Sequence, residues 1–188
     1  MRASRKQMAL NRELLLESSL RLLFRDGYSG VSVVDIAAEA GFTHGVIYGQ
    51  FKSKEDMLLQ TLSSLDRCLG IDGEAGFPTI DTYTERLVRE AKAGDLESGC
   101  AFSALGAELA RTSTEIRTTL TQIIGSTIDS FTEAESEAGP HPTPSAAIRK
   151  ATIRRWTSLI GALVLARISV NHALTAEILD SIVDLDDT

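Results

Sequence analysis

The 188-residue chain is poor in the residues that build small disulfide-stapled or catalytic scaffolds: it has two cysteines, four prolines and 5% aromatics. Cys68 and Cys100 stand too far apart for a CxxC site and are too few for a disulfide framework, so a reduced environment is expected. The scarcity of proline leaves room for long uninterrupted helices. No apolar run reaches the roughly 18–20 residues that a membrane span needs. The basic start, MRASRKQMALNRE, leads into no signal-type apolar segment, so a cytoplasmic protein with no membrane partner is expected. No GxSxG elbow, HExxH pair or glycine-rich phosphate loop is present. His44, His141 and His172 are scattered, without cysteines at zinc spacing. Neither an enzyme nor a bound metal or cofactor is expected.

What the chain does have is apolar content and an uneven charge. At 43% hydrophobic and 24% charged it can bury a core and stay in solution. Residues 1–54 carry eight basic and five acidic side chains, a net +3, whereas residues 55–188 carry eleven and twenty-one, a net −10. The overall −7 therefore averages a basic head with an acidic body, and argues less against a nucleic-acid partner than its sign suggests.

The pattern is helical nearly throughout, giving an all-α fold class. Over 8–25, Leu16, Leu20 and Leu23 fall on one helix face, and Gly27 is placed to end that helix. Ser32 precedes VVDIAAEAG as an N-cap, with Asp35 three residues on as an imperfect capping box. Gly41 closes this short helix, and Thr43 is placed to cap a third over 44–50. Ser53 opens a fourth, with Glu55 and Asp56 in its first turn. A glycine-rich loop is expected over 70–80, followed by helices near 81–93, 99–111, 114–138, 144–171 and 175–186. The GPHPTP segment marks an exposed turn.

The informative stretch is 32–54, SVVDIAAEAGFTHGVIYGQFKSK. Two short helices around a glycine turn are a helix-turn-helix arrangement, although the spacing alone equally fits an ordinary helical corner. Ala37 is small where the helices cross, and Ile36, Val46 and Ile47 hold the second helix against the first. His44, Gly45 and Tyr48 are left facing outward at the end that enters a major groove in such motifs.

From Leu15 to Leu58 the chain resembles the amino-terminal domain of the TetR/AcrR family of transcriptional repressors. The matching pieces are LLESSLRLLFRDGY, SVVDIAAEAG and THGVIYGQFKSKEDML. The resemblance implies a three-helix head over 1–54 that binds double-stranded operator DNA, and a ligand-binding and dimerising bundle over 55–188. It places Thr43, His44 and Gly45 at the base-reading start of the recognition helix. Ser32, Tyr48, Gln50 and Lys54 are placed on the DNA backbone, and Arg2, Arg5 and Lys6 could form a basic arm. Two positions depart from the family pattern. Leu23 stands where a Phe is usual, with Phe24 beside it, and Gln50 replaces the usual His, which removes a titratable charge.

In the family the remaining residues dimerise through the last two long helices and enclose a pocket. Here Gly161 and Ala162, beside Leu159 and Leu165, would let two helices approach closely, or else pack the core of a monomer. Tyr83, Phe102, Trp156 and Phe77 are candidate pocket residues, although such aromatics are more often plain core. Cys100 is expected near a helix amino terminus, where the dipole favours thiolate and an electrophile- or oxidant-sensing role is open; a small buried apolar residue is the alternative. Arg149, Lys150, Arg154 and Arg155 are expected to form a solvated face paired with acidic neighbours. The expected function is a homodimeric repressor that binds a palindromic operator and answers a small-molecule inducer. Sensing through Cys100 is a variant of it, and a helical interaction protein that binds no operator is the reading from a different class.

Overall fold

The computed structural model describes residues 5–63, 77–95, 99–139 and 145–183, with only the backbone at His44. Among these residues the chain is all-helical: α1 Arg5–Gly30, α2 Val33–Glu39, α3 His44–Tyr48, α4 Lys54–Ser63, α5 Ile80–Lys92, α6 Ala101–Leu109, α7 Thr114–Ala138, α8 Ala146–Ile168 and α9 His172–Asp180. Arg2, Cys68, His141 and the 70–76 part of the expected loop lie outside the described residues.

Local chemistry accounts for the helix boundaries. α1 is broken at Gly27, whose φ of 75° and ψ of 169° are open to glycine and strained for other residues. The start of α6 moves to Ala101 from the expected 99, because Gly99 has φ +110° and Cys100 takes the extended N-cap conformation. At the other end of the body, the Asn171 side chain accepts from the amides of Ala173 and Leu174. That cap starts α9 at His172, three residues before the expected 175, and Ser169 with ψ 129° has already ended α8.

The core is three linked clusters. Leu15, Leu22, Val31, Ile36, Ala37, Ile47, Phe51 and Met57 form the first, under α2 and α3. The second joins Leu23 and Phe24 of α1 and Leu58 and Leu62 of α4 to Leu105 and Leu109 of α6 and Ile116 and Leu120 of α7. The third lies deeper in the body and includes Ile80, Tyr83, Leu87, Phe131, Trp156, Leu159 and Leu163. α1 and α4 thus each contribute to two clusters: Leu15 and Met57 to the first, Phe24 and Leu58 to the second. The expected face of α1 is correspondingly rotated. Leu15, Leu22 and Leu23 are buried, while Leu16 and Leu20 are half-buried between clusters.

Candidate nucleic-acid interface and body cavity

α2 is fixed by a complete capping box. The Asp35 amide donates to Ser32 Oγ at 3.2 Å, and the Ser32 amide and hydroxyl donate to Asp35 Oδ2 at 2.8 and 2.6 Å. These bonds, the hydroxyl's first and the amide's second, hold the Asp35 carboxyl below the ordinary carboxylate range. Gly41, at φ +73°, turns the chain so that the Phe42 amide reaches Ala37 O at 2.8 Å. Ile36, Ala37 and Ile47 then close the two helices on each other, each no more than 2% exposed.

This packing leaves Thr43, Gly45 and Tyr48 on the outer surface of α3, with Tyr48 57% exposed. Thr43 occupies the N-cap position by its backbone, and its side chain makes no capping hydrogen bond. A Cβ added to Gly45 would meet nothing within 4 Å, so the surface there is open. Gln50 and Lys54 are tied inward. Gln50 Nε2 donates to Met8 O at 3.1 Å, joining the end of the α3 turn to α1. Lys54 Nζ donates to Tyr28 O at 2.6 Å and lies 4.3 Å from the centre of the Tyr28 ring. Burial lowers the Lys54 pKa, opposed by the negative charges of Glu108 and Asp35.

Glu108, which the sequence does not single out, joins the body to the head. It comes from the last turn of α6 in the body, yet its Oε2 accepts from the Ser29 amide at 2.8 Å. A Cβ on Gly27 would run into its carboxylate. Burial works against its charge, but the Ser29 and Tyr28 donors and the Lys54 ammonium outweigh that and lower its pKa. The break in α1 therefore has a body carboxylate as its partner, and Lys54 lies in the same electrostatic neighbourhood.

At the other end of α6 lies a cavity of about 530 Å³ between α5, α6, α8 and α9, whose walls include Leu87, Glu90, Cys100, Leu163, Arg167 and His172. Of the four pocket candidates, Cys100 is on this wall. Tyr83, Phe102 and Trp156 instead form part of an aromatic core around Phe131: Tyr83–Phe131 at 5.1 Å, Phe102–Trp156 at 5.4 Å and Phe131–Trp156 at 6.2 Å between centroids. Phe77 stacks edge-on against Phe131 at 4.7 Å. Cys100 does cap α6, but it is 3% exposed and burial pushes its thiol up, against the direction suggested by the helix terminus. Donors from Ser103, Phe102 and Tyr83 offset this only in part.

The four dimer candidates point two ways. Leu159 and Ala162 are turned into the body at 1% and 6% exposure, whereas Gly161 is exposed and Leu165 is 54% exposed. Ile168, at 71%, continues the outer stripe one turn beyond Leu165, and Leu174 on α9 is 46% exposed. In the basic run, Arg149 pairs with Asp129, and Arg155 pairs with Asp81 and lies 3.9 Å from Glu135.

The architecture defines a class before any comparison: an all-helical chain with a helix-turn-helix unit packed through α1, α4 and α6 onto a cavity-bearing bundle. Residues 15–61 match the family described as bacterial regulatory proteins, tetR family. Over 78 residues the chain is 38% identical to the HTH-type transcriptional regulator BetI of Agrobacterium fabrum, a stretch covering 42% of this chain and 38% of that protein. Over 80 residues it is 31% identical to the HTH-type transcriptional regulator AcrR of Shigella flexneri, covering 41% and 37%. These matches span less than two-fifths of the length of the two curated relatives. The fold as a whole is similar to the regulatory protein TetR from Rhodobacter sphaeroides, with a TM-score of 0.69 at 22% identity over 92% of this chain and 95% of that one. The head of the chain, over residues 15–61, thus matches the tetR-family model, and the chain as a whole shares the fold of the solved regulatory protein. No helix among its described residues is long and apolar enough to cross a membrane.

Proposed function

We propose that this protein is a homodimeric, ligand-responsive transcriptional repressor that binds a palindromic DNA operator. In this reading residues 1–54 recognise DNA and residues 55–188 bind ligand and dimerise. The observation that carries it is the outer surface of α3, where Thr43, Gly45 and Tyr48 are presented on a turn held by Ser32–Asp35, Gly41 and buried Ile36 and Ile47. Thr43, His44 and Gly45 read base edges; Ser32, Tyr48, Gln50 and Lys54 act on the sugar-phosphate backbone. Gln50 and Lys54 do so from positions already braced on α1, which fixes the angle at which α3 enters the groove.

The stripe of Gly161, Leu165 and Ile168 on α8 is the face offered to a second copy, which spaces two heads for two half-sites. The inducer occupies the body cavity, and α6 carries the response, because it reaches from Cys100 and Ser103 on the cavity wall to Glu108 against Gly27 and Ser29. Such coupling needs a ligand that favours one position of α6 over another, typically by ~1–3 kcal/mol. Covalent sensing through Cys100 is the weaker variant, since burial raises the thiol pKa.

The test uses duplexes selected from a random-sequence library by the purified chain. Tyr48→Ala with Lys54→Ala is expected to weaken binding by roughly a hundredfold, from lost backbone contacts, with helical circular dichroism unchanged. Unaltered affinity would remove the roles given to both residues. Failure of any duplex to be enriched would favour a helical interaction protein that binds no operator.

A further inference from the structure

Between α6 and α4 lies a single peptide unit of α1, Tyr28–Ser29, held at both ends. Its carbonyl accepts from Lys54 Nζ at 2.6 Å, and its amide donates to Glu108 Oε2 at 2.8 Å. An ammonium therefore holds one end of the peptide dipole and a carboxylate the other, so that each hydrogen bond polarises and strengthens its neighbour. A Cβ at Gly27 would run into the Glu108 carboxylate, so the glycine that breaks α1 also makes room for it. The Tyr28 ring, 4.3 Å from Lys54 Nζ, covers one side of the same ammonium. Burial works against the Lys54 charge, and Glu108 supports it, followed by Asp35, which is already engaged with Ser32.

We propose that Glu108 is a positioning residue for Lys54: acting through the Tyr28–Ser29 peptide, it holds the ammonium inward in competition with a DNA phosphate, and so limits DNA affinity from the body. The inference rests on the reading that Lys54 acts at the DNA backbone. A phosphate approaching Lys54 meets a cation already shared with a carboxylate, gains less from it and releases fewer counterions. Seating Glu108 more firmly on Ser29 therefore weakens DNA binding, and withdrawing it leaves a full cation for the phosphate.

The test is the affinity of the full chain for a duplex that it selects, read by fluorescence anisotropy over a series of salt concentrations. Glu108→Gln keeps an acceptor for the Ser29 amide and removes the charge. It is expected to bind roughly two- to fivefold more tightly, as for a part-exposed ion pair. Its slope of log affinity against log salt should steepen by up to about 0.9, the share of one phosphate. Glu108→Asp, which keeps the charge, should bind like the wild type, and in a Lys54→Ala background Glu108→Gln should lose most of its effect. Weaker binding by Glu108→Gln or an unchanged slope would reduce Glu108 to a structural brace, and an equal gain without Lys54 would reduce it to general repulsion; either overturns the assignment. A second measurement needs no variant: the ring-current shift that Tyr28 imposes on the Lys54 ε-methylene should diminish when duplex is added to the wild type. Its full retention in the bound chain would mean that no phosphate competes for the ammonium. Failure of the wild type to hold any duplex against competitor would instead overturn the DNA-binding reading, and this inference with it.

Discussion

The head and the body treat their polar groups in opposite ways. Around α2 and α3 the groups that shape the turn have partners close at hand: Ser32 with Asp35, Gln50 with Met8, Lys54 with Tyr28. In the body, Glu90 Oε2, Thr127 Oγ1, Ser136 Oγ, Thr152 Oγ1 and Trp156 Nε1 are buried without a hydrogen-bond partner. Among the described residues, all the buried unpartnered side-chain atoms belong to α5, α7 and α8. Under the proposed function this contrast is expected: a surface that meets DNA in a fixed pose gains from satisfied polar groups, whereas a region that changes state around a ligand tolerates groups satisfied in only one state.

The largest expected effect probes whether the two regions stand alone. Phe131→Ala removes a fully buried ring that touches Phe77, Tyr83 and Trp156, and should cost about 3–5 kcal/mol. Because the second cluster draws on α1, α4, α6 and α7 together, chemical denaturation should still show one transition. Two separated transitions would break the description of a head continuous with the body.

Next is the joint itself. Gly27→Ala should cost about 2 kcal/mol, from backbone strain at positive φ and displacement of the Glu108 carboxylate. Glu108→Ala in the same chain should make that substitution cheaper by at least about 0.5 kcal/mol, a coupling that a double-mutant cycle reads directly. Strict additivity would mean that the head senses nothing of α6 at this point.

A paired comparison isolates the polar contrast. Ser32→Ala breaks a satisfied box and should destabilise by about 1 kcal/mol. Thr152→Val replaces a buried unpartnered hydroxyl by a methyl of similar shape, and should be neutral or stabilising by up to about 1 kcal/mol. Equal losses at the two positions, measured by thermal melting, would erase the distinction.

The smallest effect is on acid stability. The Glu108 pKa is lowered in the folded chain. Its contribution is therefore full above the ordinary carboxylate pKa of roughly 4 and is lost as pH falls through the lower folded value. Glu108→Gln should flatten the loss of stability below about pH 4; an unchanged acid limb would mean that Ser29 and Lys54 do not hold the charge.

What was legible in the sequence follows the range of the interactions. Ser32, Asp35, Gly41 and Gly27 act within a few residues of themselves, so the turn and its caps read directly from the chain. Glu108 acts on Ser29 across 79 positions, and nothing near either residue signals it. The sequence ran α8 on to 171 and began the next helix near 175, because the Asn171 cap shows only once its side chain meets the Ala173 and Leu174 amides. On α8 the phase was ambiguous because apolar residues occur on both faces. The sequence therefore grouped Leu159 and Ala162 with Gly161 and Leu165, which the packing separates. Aromatic residues were open as pocket or core, and Tyr83, Phe102 and Trp156 pack with Phe131 in the core. The cavity wall instead carries charge on otherwise packed helices, at Glu90 and Arg167.

The proposed function stands or falls on two-fold binding of DNA. The most direct measurement is fluorescence anisotropy of a selected duplex titrated with the chain in excess unrelated DNA, at two salt concentrations, with the stoichiometry taken from the saturation point. A two-fold repressor should give competitor-resistant binding that saturates at two protomers per palindromic site and weakens as salt rises through lost phosphate contacts. Binding erased by competitor at both salts, or saturating at one protomer per site, would contradict it.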